Sequence, residues 1–421
     1  VVTTQTPKLP LPPPLVGSEV GSFTEDTVTQ RMPAIARRVI AENNFSTSVN
    51  QRLEKLATEI PTGHLPPLVN DTGADFTDWE KYLEPYIGQR WVDVPWFLVE
   101  TYFYRLILEI TNYFRPGEGQ VVDPFESQKS QGLEASIDSI ISLCSQLGKW
   151  LAESQKLAKP NPASVIALFY FALWGNRADL SLWSAYEDDR SQFDIQNQLT
   201  HILVDDIFKV SDLIYNNRGG RVDFIADNAG FELICDLCLA IFLLETGLAG
   251  QVYLHLKPHP TFVSDAMIKD VEVTVDFLSG SSHPQVKLVT QKLQANLISG
   301  NLVLTTDYFW TSPLAFWQIP DSLGSELASS NLIVVKGDAN YRRLLGDRHW
   351  EFTTNIADII TYLPAPMVAL RTLKSEVAAG IKVPVVETVA KSDPSWLTNG
   401  QWGIIQFVDH SSSSNLDTLR L

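Results

Sequence analysis

Hydrophobic residues change their spacing along this chain, and each change marks a new kind of element. Residues 1 to about 20 hold prolines too closely set for helix and lack the alternation of a strand, which predicts an extended, mobile arm. From Thr27 apolar positions recur every three or four residues. Met32, Ile35, Val39 and Ile40 share a face while Arg37, Arg38 and Glu42 fall mostly on others, so an amphipathic helix is predicted. Further helices are predicted over Ser48–Glu59, Trp79–Tyr86, Leu133–Leu151 and Pro162–Trp174. Pro95 to Phe114 is apolar nearly all round and reads as a buried central helix. Its Glu100, Tyr104 and Arg105 either form an internal Glu–Arg tie between helices or point into a site between two halves of the protein; both readings stay open.

Beyond Arg221 the order alternates. Strands are predicted over 221–227, 252–257, about 301–305, 331–336, about 367–371 and 403–408, with helices over 231–245 and about 265–278. That order predicts an α/β fold: a mainly parallel sheet flanked by helices on both faces, preceded by an all-helical N-terminal domain. The division expected is an arm over 1–20, a helical domain over 21–200 and an α/β domain over 201–421.

The 421 residues, 45% of them hydrophobic, can bury a sizeable core. The longest apolar run, Leu237 to Leu244, is far shorter than a membrane span, and no basic region followed by an apolar stretch opens the chain, so a soluble, cytoplasmic protein is expected. Lys and Arg number 32 against 49 Asp and Glu, a net charge of −17, which argues against general affinity for nucleic acid or anionic membrane. No obligate protein partner is signalled. Cys235 and Cys238 form a lone CxxC inside an apolar helix, with Cys144 as the third cysteine, and read as buried thiols rather than a redox or zinc pair.

The candidate chemistry sits at strand ends. Val222 to Ala226 runs into Asp227–Asn228, then Gly230 and a long apolar helix. In an open α/β sheet the crevice past the strand's carboxyl end is where ligands bind, and these two side chains offer hard oxygens suited to Mg²⁺ or Mn²⁺. The competing reading is a turn whose oxygens cap the next helix. Lys257 closes another strand, and Ser264–Asp265 follow at the start of a helix, where Asp265 can cap it or ligate a metal. Lys336-Gly337-Asp338, with Asn340, Arg342 and Arg343 beyond, end a third strand; Arg371 and Lys374 end a fourth. A parallel sheet brings these ends to one side, placing oxygen ligands beside cations, as a metal-assisted phosphate site requires. Asn176, Arg177 and Asp179 form a polar knot that caps a helix or reaches the same cleft. The histidines show no metal-ligand spacing, and no GxSxG, GxxxxGK[ST] or GxGxxG motif is present.

The segments VGSF (20–23), RMPAI, PWFLVETYFYR, LWGNRADLSL, DNAGFEL, VSD, KGDANYRRLLGDRHWEF and RTLK together resemble the damage-control phosphatases, and Arg371-Thr372-Leu373-Lys374 matches the RTxK signature of their third subfamily. Members of that subfamily are also described as protein-glutamate methyltransferases. The resemblance implies a helical domain on a Rossmann-like α/β domain and a divalent ion, Mn²⁺, Co²⁺, Ni²⁺ or Mg²⁺, held by Asp227, Asn228 and Asp265. It implies phosphosugar binding by Glu100, the Lys336 to Asn340 loop with Gly337 and Asp338, and Lys374; Asn176 and Arg371 are further candidates. The activity implied is hydrolysis of small phosphorylated metabolites such as fructose 1-phosphate and fructose 6-phosphate. Its rivals are S-adenosylmethionine-dependent methylation of protein carboxylates and a non-catalytic sugar phosphate sensor.

Overall fold

The protein is represented by a computed structural model that describes residues 7–69, 72–115, 122–157, 159–175 and 199–409. Its centre is one seven-stranded sheet: β1 Ile202–Asp205, β2 Gly220–Ile225, β3 Ala249–Leu256, β4 Leu302–Thr306, β5 Leu332–Lys336, β6 Met367–Thr372 and β7 Gly403–Val408. The spatial order is β1-β7-β6-β5-β2-β3-β4. Every neighbouring pair is parallel except β6 with β7. The fold is therefore α/β with a mostly parallel sheet, as the alternation predicts.

Several elements lie outside the predicted set, among them β1 and the helices Ile207–Asn216, Pro284–Ser299 and Val383–Ser392. β1 was not predicted, because its four residues are only partly buried at the sheet edge and carry no clear periodicity. The helix Pro284–Ser299 was not predicted either, although Val286, Val289 and Leu293 form a narrow buried stripe on it.

Side-chain alternation divides the strands between two cores. Ile225, Ile333, Val335, Met367 and Ala369 face a cluster that takes in the helices Met32–Glu42, Thr47–Glu59 and Trp96–Ile110. Val222, Phe224, Leu332, Val334, Val368 and Leu370 face the opposite cluster, built with Ile137–Ser154, Pro162–Trp174 and Phe231–Glu245. Helices from before β1 thus cover both faces of the sheet. Among the described residues the chain up to Trp174 contributes helices and no strand of the sheet. No described helix is long and apolar enough to cross a membrane.

The buried charges find partners on distant elements. Arg105 does not pair with Glu100; it grips Asp75 through two bonds of 2.9 Å, while Glu100 accepts from Arg342 at 2.5 Å. The reading of Cys235 and Cys238 as packed thiols matches their burial beside Cys144, with burial pushing the Cys235 thiol well up.

Strand order reverses between β2 and β5. From β2 the chain moves outward through β3 and β4; from β5 it moves the other way to β6. The carboxyl ends of these two strands flank the crevice that such a switch point opens, and the candidate residues follow them directly.

Candidate functional site

Asp227 and Asn228 leave β2 in a short turn that closes at Gly230, whose φ of 74° falls in the left-handed region open to glycine. Gly230 is also the residue that starts the helix Phe231–Glu245, and no side chain caps that helix. The turn-and-cap reading of Asp227–Asn228 therefore fails. Both side chains are free of helix-capping work.

Asp265 arrives from the other side of the crevice. It forms an isolated antiparallel bridge with Asn228, and the Ala266 amide donates to the Asp227 carbonyl at 2.7 Å. Two segments 38 residues apart are thus tied backbone to backbone. Asp265 caps nothing either: its helix begins at Ile268, and Asp270 accepts from the Met267 amide at 2.8 Å. The loop before it holds Phe262 and Val263 at positive φ, 45° and 67°, a strained course for bulky side chains that the surrounding packing must enforce.

The charges around this junction are crowded. Burial pushes Asp227 well above the usual carboxylate range, and the negative charges of Glu232 and Asp265 push it further, against a weaker opposing pull from Lys257 and Lys374. Burial likewise raises Asp265, with Lys257 opposing. The Lys257 ammonium lies 3.3 Å from Oδ2 of Asp265, an ion pair whose geometry falls short of a hydrogen bond. Asn228 donates to Asp227 at 2.7 Å and to Glu232 at 2.9 Å, while its own oxygen accepts from the Ser264 hydroxyl at 2.5 Å. Two buried carboxylates and an amide oxygen, crowded by a third acid, form a donor set that fits a hard divalent cation. Glu232 and Lys257 complete this environment. The signal for Glu232 was an acid, four residues after Asn228, at the head of an otherwise apolar helix.

Gly337 closes the site from the β5 side. Its φ is 81°, and a Cβ there would stand 1.9 Å from Oδ2 of Asp227. Lys336, just before it, turns inward. It is 1% exposed, and its ammonium sits 3.3 Å from Glu232 and 3.1 Å from Asp236 and donates to the Ala172 carbonyl. Burial pushes Asp236 up to about 7, with Lys336 opposing. Asn340 ties the strand ends together, donating to the carbonyls of Ala226 at 3.0 Å and Lys336 at 2.8 Å.

Asp338 is held below the ordinary carboxylate value, because Arg371 and Arg342 outweigh the effect of burial. It accepts from Arg371 at 2.8 Å and from the Lys374 amide at 3.0 Å. Arg371 is buried over the Tyr341 ring and also bonds Ser375, so it fixes the turn that presents Lys374. Lys374 itself is exposed. Glu100 lies behind this row, on Arg342, which also grips Asp347 at 2.8 and 3.1 Å. Asn176, together with Arg177 and Asp179, lies outside the described residues.

A second acidic group is present. Carboxylate oxygens of Asp123, Glu126 and Asp270 come within 4.8 Å of one another and are of the right type for a metal ion. Two ammonium groups already occupy the space between them: Lys129 bridges Asp123 and Asp270 at 3.2 and 2.8 Å, and Lys269 bridges Asp123 at 2.8 Å and Glu126. Three acids against two lysines leave little charge for a dication, so this cluster reads as a tie between helices.

Comparison with known proteins places this chain in a family. The Damage-control phosphatase ARMT1-like domain matches residues 27–389. Damage-control phosphatase ARMT1 of Danio rerio is 33% identical over 94% of this chain and 97% of its own length. The Homo sapiens protein of the same name is 33% identical over 94% of this chain and 98% of its own. A DUF89 family protein from Pyrococcus horikoshii, 14% identical, overlays with a TM-score of 0.45 over 90% of this chain and 96% of that one, too loosely to bear on the argument. With its family domain spanning most of the sequence and its relatives aligned nearly end to end, the chain belongs to the ARMT1-like damage-control phosphatase family.

Proposed function

We propose that this protein is a metal-dependent phosphomonoesterase for small phosphorylated metabolites, with fructose 1-phosphate and fructose 6-phosphate as its first candidate substrates. The observation that carries the reading is the meeting of Asp227, Asn228 and Asp265 at the sheet's switch point, none of them capping a helix and the two carboxylates buried beside lysines. Membership of a phosphatase family supports a hydrolase.

Asp227, Asn228 and Asp265 would hold the ion, which when bound supplies Lewis-acid polarisation of a phosphoryl oxygen. The protein's own groups do the rest. Lys374, exposed and near enough to act on the charge of Asp227, would bind phosphate oxygens and offset charge as it develops. The Gly337 backbone fixes the position of Asp227, Asp338 and Arg371 fix the turn carrying Lys374, and Lys336 balances Glu232 and Asp236 beneath the site. Glu100 contributes by tying the helix Trp96–Ile110 to Arg342 of the helix Gly337–Leu345.

The test is a panel of phosphorylated sugars assayed for phosphate release with Mn²⁺, Co²⁺, Ni²⁺ and Mg²⁺, and again with chelator. Metal-dependent release that Asp227→Ala abolishes supports the reading. Label transfer from S-adenosylmethionine without metal, and no phosphate release, would replace it with methyl transfer; sugar phosphate binding without turnover under any metal would replace it with a sensor.

A further inference from the structure

A cavity of about 460 Å³ opens between the helix Phe76–Leu83, the start of the helix Trp96–Ile110 and the segment 313–318, on the flank of the helix Gly337–Leu345. It does not include Asp227, Asn228, Asp265 or Lys374. Its volume suits a metabolite-sized ligand.

Three cations line this cavity, Lys81, Arg343 and Arg348, against one acid, Asp347. Both oxygens of Asp347 are taken by Arg342, and Lys81 rests on Asp78 at the surface, at 2.9 Å. The two arginines have no such outlet. Arg343 is 2% exposed, and its bonds end on neutral acceptors: the carbonyls of Leu314 and Trp310 and the Ser312 hydroxyl. Arg348 donates to the carbonyl of Pro12 at 2.5 Å. The Nε atoms of both are buried without a hydrogen-bond partner among the described residues. Burial pulls Arg343 down to about 9 and lowers Arg348, outweighing the pull of Asp265 and Tyr82 on the first and of Tyr86 and Asp347 on the second; Arg343 also lies over the rings of Phe97 and Phe309. In a chain of net charge −17, one buried and one half-buried guanidinium with no carboxylate bonded to either stand out. Tyr82, Tyr86 and Trp317 supply aromatic walls to the same cavity.

We propose that this cavity is a second ligand site, separate from the switch-point crevice, for a small organic anion carrying a flat ring. A nucleoside monophosphate is the chemical class that supplies both parts: its phosphate lies on Arg343 and Arg348 and its ring packs among Tyr82, Tyr86 and Trp317. A guanidinium meets a phosphate through paired N–H donors, and flat aromatic walls favour a planar ring over a compact sugar. The assignment does not depend on the phosphatase reading, because none of the crevice residues takes part.

Calorimetric titration of the full chain with AMP, adenosine and inorganic phosphate tests it. Expected are one AMP bound per chain, at least tenfold weaker binding of adenosine and of phosphate alone, and at least a tenfold loss of AMP affinity in Arg348→Ala and Arg343→Met, while Asp227→Ala leaves it unchanged. Arg343 is packed deeply enough that Arg343→Met can fail to fold; Arg348→Ala, at a half-buried position, then decides. No saturable AMP binding, or binding that Asp227→Ala removes and Arg348→Ala does not, overturns the site. Equal affinity for phosphate and AMP overturns the ring-and-anion assignment.

Discussion

Gly337 stands so close to Asp227 that a single methyl group on it would lie 1.9 Å from Oδ2 of that carboxylate. The glycine is therefore a spacer that lets β5 and β2 end side by side with Asp227 between them. Alanine at this position would have to displace Asp227 and adopt a φ of 81°. The backbone strain is about 1–2 kcal/mol, whereas moving a site group by about 1 Å can cost roughly 100-fold in rate. Gly337→Ala should thus lose about two orders of magnitude in turnover while unfolding in denaturant only slightly earlier than the parent; full activity would show that Asp227 has no fixed role.

Lys336 separates two roles that its sequence position suggests equally. Its ammonium is committed to Glu232 and Asp236. Removing one partner of a buried ionic group costs about 3–5 kcal/mol. Lys336→Met should therefore show a large drop in unfolding free energy by urea titration. Unchanged stability with a raised KM alone would instead place its charge on substrate.

Asp75 gives the clearest pH dependence. Burial alone would raise it, but the His259 ring 3.4 Å away and the hydrogen bonds and charge of Arg105 outweigh that and hold it well below its ordinary value of 3.8. A carboxyl depressed in the folded state stabilises above the unfolded value and loses that contribution as pH falls through the folded one. Stability should therefore decline from about pH 4 downward, and Asp75→Asn should flatten that part of the curve while lowering stability at pH 7. A parallel curve for the variant would refute the assignment.

Glu126→Gln probes the other acidic cluster. Because Lys129 and Lys269 already bridge these acids, divalent ion stoichiometry should be the same in the variant as in the parent. Loss of one bound ion would move the metal centre to Asp123, Glu126 and Asp270.

Much of this arrangement was legible in the sequence because strand ends announce themselves: apolar runs stop at Asp227, Lys336 and Arg371, and parallel pairing gathers them on one side. Direction was harder to read. Nothing in Gly403–Val408 distinguishes an antiparallel strand from a parallel one, since alternation and burial are the same in both. Long-range charge pairing was out of reach for a related reason: Arg105 and Glu100 share one helix, yet their partners, Asp75 and Arg342, are chosen by tertiary packing. The inward course of Lys336 was hidden in the same way, because Glu232 and Asp236 sit a hundred residues earlier on a helix whose periodicity looked wholly apolar.

The central claim is that Asp227, Asn228 and Asp265 share one divalent ion. Equilibrium titration of the metal-stripped chain with Mn²⁺, followed by electron paramagnetic resonance of the free ion, tests it without reference to any substrate. The account predicts one tightly bound ion per chain, with affinity lowered at least tenfold by Asp227→Ala and by Asp265→Ala separately. Undiminished tight Mn²⁺ binding in both variants would contradict it.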